Sequence, residues 1–224
     1  MVYSAKNHAR RLRSLTVSAL ALLVALAGAL QLCGCSSENG EPGSAASKQF
    51  VDESTYNIMY NPTLLNVMGY STANEAIQDS DESNDPNSEA GYLEARALDD
   101  GSVSLTYSAE QYDYTLDWIK NQIESSCSSF ANLYDGCSLE VDDSWQTIDC
   151  CLTPDVATSV GTWLSSIQIV EIYCAQMQAL EHPGDESWSV TINLYNVETG
   201  ELVASGSSDG GALSFTPEDW GVSG

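Results

Sequence analysis

The sequence predicts an α+β fold: an antiparallel sheet built from hairpins, with two long helices packed on one face. Three observations carry that prediction. Short runs with alternating apolar residues come in pairs around turn signals, at 93–107, 139–152 and 188–205. Between the pairs lie two long stretches whose apolar residues recur at steps of three and four. No repeat of fixed length marks a solenoid or a blade array. Hairpins with helices inserted between them favour an antiparallel sheet over a parallel one.

The first hairpin joins Leu93–Leu98 to Val103–Tyr107 around Asp99-Asp100-Gly101. Asp-Gly supplies the turn, and alternation puts Val103, Leu105 and Tyr107 on one face. Ser108 follows as a helix N-cap, and Gln111, three residues on, completes a capping box. The helix carries Tyr112, Leu116, Ile119, Ile123, Cys127, Phe130 and Tyr134 as one stripe, and Gly136 ends it. Leu139 and Val141 make a short strand, Asp142-Asp143-Ser144 a turn, and Trp145–Leu152 a longer strand. On that strand Ile148, Cys150 and Leu152 share one face, while Trp145, Thr147, Asp149 and Cys151 share the other.

Thr153-Pro154-Asp155 opens a second helix with a hydroxyl cap, a proline in the first turn and an acid that complements the dipole. The helix is expected to run to about Leu180 as the most buried one. Its stripe of Val156, Val160, Trp163, Leu164, Ile167, Cys174 and Met177 is widened by Ile169, Val170, Ile172 and Tyr173. The last hairpin joins Trp188–Tyr195 to Glu201–Ser205 through Glu198-Thr199-Gly200. From Asp100-Gly101-Ser102, through the Ser108-capped helix and the second helix, to Glu198-Thr199-Gly200-Glu201, the chain resembles a group of small secreted or lipid-anchored proteins of Gram-positive, often gut-dwelling, bacteria. The resemblance covers about half of the chain and rests on turn and cap signals. It implies a location and a fold, and brings no catalytic residues with it.

Ahead of this core, Lys6, Arg10, Arg11 and Arg13 form a charged start, and Leu15–Leu32 follow without a charge. A charged region, an apolar region and small residues at a cleavage site make a secretory signal. The site, Leu32-Cys33-Gly34-Cys35, resembles a bacterial lipobox, which assigns lipid attachment to Cys35. Cys33 follows the bulky Leu32, where a small residue is needed. Were the segment an uncleaved anchor instead, the positive-inside tendency would still leave the C-terminal part outside. The expected organisation is a signal peptide over 1–34, a flexible spacer over 35–49, an acidic and partly disordered segment over 50–90, a globular domain over 91–206 and a Gly/Ser/Asp-rich tail over 207–224. Within 50–90 a short helix is expected after Asn61-Pro62. Asp79, Asp81 and Asp85 suggest a calcium loop, but Asn84 stands where the EF-hand needs glycine and Ala90 where it needs glutamate. A disordered linker is the expectation there.

From residue 35 onward only Lys48, Arg96 and Lys120 oppose the 32 acidic residues, a net charge of −29. Such a surface repels nucleic acid and anionic lipid headgroups, and it lacks the arginine clamp of phosphate sites. Cationic proteins or peptides, or calcium, are the electrostatically favoured partners. His182, in the helix-ending turn His182-Pro183-Gly184-Asp185, is the one imidazole left after the signal, so any Ser-His or Cys-His nucleophile would have to use it. Zinc sites built on several histidines are impossible by count. No cofactor and no metal site are expected.

Five cysteines remain: Cys127, Cys137, Cys150, Cys151 and Cys174. An exported chain favours disulfides, and an odd count leaves one thiol over. Cys127 could reach Cys137 across a short turn, and Cys150 on the core face suits a bridge to Cys174 on the second helix. Cys151 is then the free thiol, on the opposite face. Adjacent cysteines on a strand point apart, a poor geometry for joint redox or metal chemistry, and no C-x-x-C is present. These features predict a non-catalytic, lipid-anchored extracytoplasmic binding or interaction module. The alternative is an extracytoplasmic enzyme or thiol-redox protein that uses carboxylates or Cys151.

Overall fold

A computed structural model describes residues 54–82, 84–159, 161–184 and 187–221. The signal, the lipobox with Cys35 and the spacer lie outside them, as do Val160 and Asp185. The class is α+β as expected, but the strands form two sheets, one of three strands and one of four. The chain divides into two compact units, and the boundary falls between Thr115 and Leu116, not near residue 91.

The first unit holds β1 (Thr55–Tyr60), α1 (Pro62–Val67), α2 (Ala73–Asp81), β2 (Glu94–Ala97), β3 (Val103–Ser108) and the first turns of α3 (Ala109–Leu133). Its sheet has the order β1-β3-β2 and is antiparallel throughout. The segment expected to be acidic and partly disordered thus supplies a strand and two helices. Ile58 and Tyr60 of β1, Leu64 and Leu65 of α1 and Ala76 of α2 are buried with Val103 and Tyr107. Asn61 and Thr72 cap α1 and α2 by accepting from the backbone N–H of Leu64 and Glu75. The acids are used as acceptors: Tyr70 Oη donates to Asp79 at 2.9 Å, and Tyr92 Oη donates to Asp81.

The capping box at the start of α3 is present as expected. Ser108 N–H donates to Gln111 Oε1 at 3.0 Å, and Gln111 N–H donates to Ser108 Oγ at 3.2 Å. Gln111 Nε2 also donates to the carbonyls of Pro86 and Ser88, each at 3.1 Å. One fully buried side chain therefore ties the 86–88 loop to the helix start.

The second unit contains the rest of α3, then β4 (Ser138–Val141), β5 (Thr147–Leu152), α4 (Pro154–Thr158), α5 (Thr162–Glu181), β6 (Thr191–Asn196), β7 (Leu202–Ser207) and a 3₁₀ turn at Pro217–Trp220. Its sheet order is β4-β5-β6-β7. The outer pairs are antiparallel, while β5 and β6 run parallel, which corrects the wholly antiparallel sheet expected from hairpins. The cause is the connection: α4 and α5 lie between β5 and β6, and a helical crossover returns the chain in the same direction. The single helix expected from Pro154 to Leu180 is two. Ser159 ends α4 in an extended conformation, and Gly161 begins α5 at φ 57°, the left-handed region that favours glycine.

Leu139, Ile148, Cys150, Leu152 and Leu194 make the buried face of this sheet, and every residue from Tyr173 to Leu180 of α5 is buried. The tail is packed: the Phe215 ring centroid lies 5.7 Å from Trp163 and 6.2 Å from the buried Trp220. Trp145, in the β4–β5 turn, is held at φ 61°. Its indole N–H donates to Glu181 at 3.0 Å and its carbonyl accepts from Gln178 Nε2 at 2.7 Å, contacts that offset a backbone cost of about 1–2 kcal/mol.

Candidate functional site

The four-stranded sheet has two unlike faces. Opposite the apolar face, the part-exposed side of β5 carries Thr147, Asp149 and Cys151, and that of β6 carries Thr191, Asn193 and Tyr195. Strand register aligns these residues into rows. One row crosses all four strands as Glu140, Asp149, Asn193 and Ser205. It is internally bonded, with Asn193 Nδ2 donating to Asp149 Oδ1 at 2.9 Å and Ser205 Oγ donating to Asn193 Oδ1 at 2.8 Å. A second row is Thr147, Thr191 and Ser207, and a third brings Ser138, Cys151 and Tyr195 together. The alternation along 147–151 reveals half of this surface. The rest depends on the parallel pairing of β5 with β6, which no local pattern shows.

All five described cysteines are free thiols, and neither expected bridge is closed. Cys127 sits six residues before the end of α3 at Leu133, so the helix continues past the point where a short turn could bring it to Cys137. The Cys137 Sγ instead accepts the Thr153 N–H at 3.4 Å. Cys150 and Cys174 are both fully buried, and burial pushes both thiols well above the ordinary range. They pack as small apolar groups. Cys127 is raised as well, by burial first and then by Glu140 and Glu124. Cys151 points to the other side of β5 from Cys150, as expected, and lies opposite Ser138 and Tyr195.

His182 is exposed where α5 ends, and its backbone N–H donates to Gln178 O at 3.0 Å. Among the described residues no hydrogen bond joins its ring to a serine, a cysteine or an acid. Asp79 and Asp81 are engaged by tyrosine hydroxyls, while Asp85 accepts the Asn87 N–H at 2.9 Å. Among the described residues no three His, Cys, Asp or Glu side chains converge into a metal site. A shallow cavity of about 160 Å³ in the first unit is lined by Met68, Tyr70, Glu75, Asp79 and Glu82 among others. Glu171, a part-exposed residue of α5, has its carboxyl pushed up to about 7 by desolvation. No helix among the described residues is long and apolar enough to cross a membrane.

Compared with family models, with curated proteins and with solved structures, the chain matches none.

Proposed function

We propose that this protein is a lipid-anchored extracytoplasmic binding module that engages a cationic partner without chemically changing it. The anchor rests on Leu32-Cys33-Gly34-Cys35 and the basic and apolar segments ahead of it. The partner rests on one observation. From residue 121 to residue 224 the sequence contains no lysine and no arginine, while acids recur throughout. Charge of one sign, spread over a surface with almost no internal counter-charge, raises the local concentration of oppositely charged proteins and speeds their association.

Protein extracted from its native membrane tests both halves. The N-terminal peptide is expected to carry a diacylglyceryl mass on Cys35, and an unmodified Cys35 would remove the anchor. An arginine-serine peptide is expected to bind at about 0.02 M salt and to dissociate near 0.3 M, since exposed charges are screened over that range. Absence of binding at low salt would sink the cationic partner, and cleavage of the peptide would make the protein an enzyme.

A further inference from the structure

We propose that the part-exposed face of the four-stranded sheet is the docking surface, and that its occupant is an extended, arginine- or lysine-bearing segment of a cationic protein seated on Glu140 and Asp149. This rests on the cationic-partner reading above and adds the place and the shape of the contact.

Glu140 and Asp149 are directly opposed on β4 and β5. Like charges facing each other across an antiparallel pair are destabilising. Proteins commonly offset such a pair with a nearby base, yet the second unit has no lysine or arginine beyond Lys120 on α3. No lysine or arginine lies on the strands of this sheet, so a cationic segment from outside would supply the counter-charge that the face lacks. The surroundings suit a side chain better than a metal ion, because no third ligating group joins the two acids among the described residues.

Asp149 is also held in place. Asn193 fixes one carboxylate oxygen, and Ser205 fixes Asn193 in turn, so the other oxygen keeps its orientation towards an incoming guanidinium or ammonium. Planar arginine takes such oxygens with defined geometry. Neighbouring strands are about 4.8 Å apart, so the row from Glu140 to Ser205 spans roughly 14 Å, the reach of a four- to five-residue extended peptide. Flanking hydroxyls at Thr147 and Thr191 offer donors and acceptors to such a backbone, while that of Ser207 is already bonded to Asp209 and Ser189. Tyr195, in the next row, offers a ring to a second cation.

The test uses the full chain in detergent micelles and a fluorescent arginine-serine nonapeptide at low salt. The double variant Glu140→Gln/Asp149→Asn is compared with Glu89→Gln/Glu218→Gln, which removes the same charge from exposed positions elsewhere. The face variant is expected to bind at least tenfold more weakly than the parent, and the control to change less than twofold. Equal weakening in both variants, or none in the first, would overturn the docking surface while leaving the cationic partner standing. If the parent itself does not bind, the cationic-partner reading falls and the surface with it. A second readout needs no variant. Carbodiimide coupling of a lysine-serine peptide to the parent joins its amines to nearby carboxylates as amides. Coupling is expected on Glu140 or Asp149, and coupling concentrated on other acids would overturn the proposal.

Discussion

A buried glutamine is costly unless its hydrogen-bonding atoms are all engaged, and those of Gln111 serve three backbone groups: Ser108 N–H and the carbonyls of Pro86 and Ser88. Gln111→Leu leaves the buried Ser108 N–H and the Pro86 carbonyl without this partner, while the Ser88 carbonyl keeps the Gly91 N–H, and is expected to lower unfolding free energy by about 2–3 kcal/mol. Ser108→Ala removes one cap acceptor and is expected to cost about 1 kcal/mol. Urea unfolding of both variants checks the order, and a larger loss for Ser108→Ala would contradict it. Glu171 behaves oppositely, because its native environment disfavours the charged form. Its folded value of about 7 lies above the ordinary 4.5, so its ionisation costs stability above pH 7, and that cost disappears as pH falls to about 4.5. Glu171→Gln is expected to stabilise the fold at pH 8 by about 1–3 kcal/mol, with its partial exposure limiting the gain, and to have no effect below pH 4.5. Melting curves at both pH values decide it. The Ser108–Gln111 box was legible because a cap is a local pattern of types at fixed spacing. The surroundings of Glu171 were not, because they depend on which elements pack around α5.

At the scale of elements, most strands and helices could be read from alternation and caps, and the errors share a cause. Adjacent strand-like runs read as hairpins, and that is right for β2 with β3, β4 with β5 and β6 with β7. The β5–β6 pairing joins residues separated by two helices, so nothing local signals it. The acidic run of 74–90 read as a linker because α2 buries just two small residues, Ala73 ahead of the run and Ala76 within it, and the charges around them hide the pattern. The Gly/Ser/Asp-rich composition of the tail gives no local signal for packing, and the segment packs through one close approach. A Cβ on Gly206 would lie 2.6 Å from Leu213 N, so the segment after β7 folds back only because that position lacks a side chain. Gly206→Ala is expected to push the segment away and expose Trp220. The measurement is tryptophan emission, which shifts to the red if Trp220 becomes wet. Unchanged emission and an unchanged melting temperature would show that the tail tolerates the methyl group.

Across the whole molecule one imbalance dominates. Among the described residues the only ion pair is the exposed one between Arg96 and Glu94, which contributes little, so nearly all of the acids act on each other by repulsion. Repulsion of one sign favours expansion over the compact state. Salt weakens it, since the screening length falls from about 10 Å at 0.1 M to about 3 Å at 1 M. The melting temperature is therefore expected to rise between those two concentrations, while affinity for an arginine-bearing peptide falls over the same range. Opposite responses to one variable separate this origin from a general effect of salt on hydrophobic burial, which would strengthen the fold without releasing the peptide. Sodium chloride and sodium sulfate at matched ionic strength sharpen the comparison, because sulfate also strengthens apolar burial. Equal stabilisation by the two salts would assign the effect to screening. A melting temperature that falls with sodium chloride would mean that attractive charge contacts, not repulsion, govern this surface, and the need for a cationic partner would go with it.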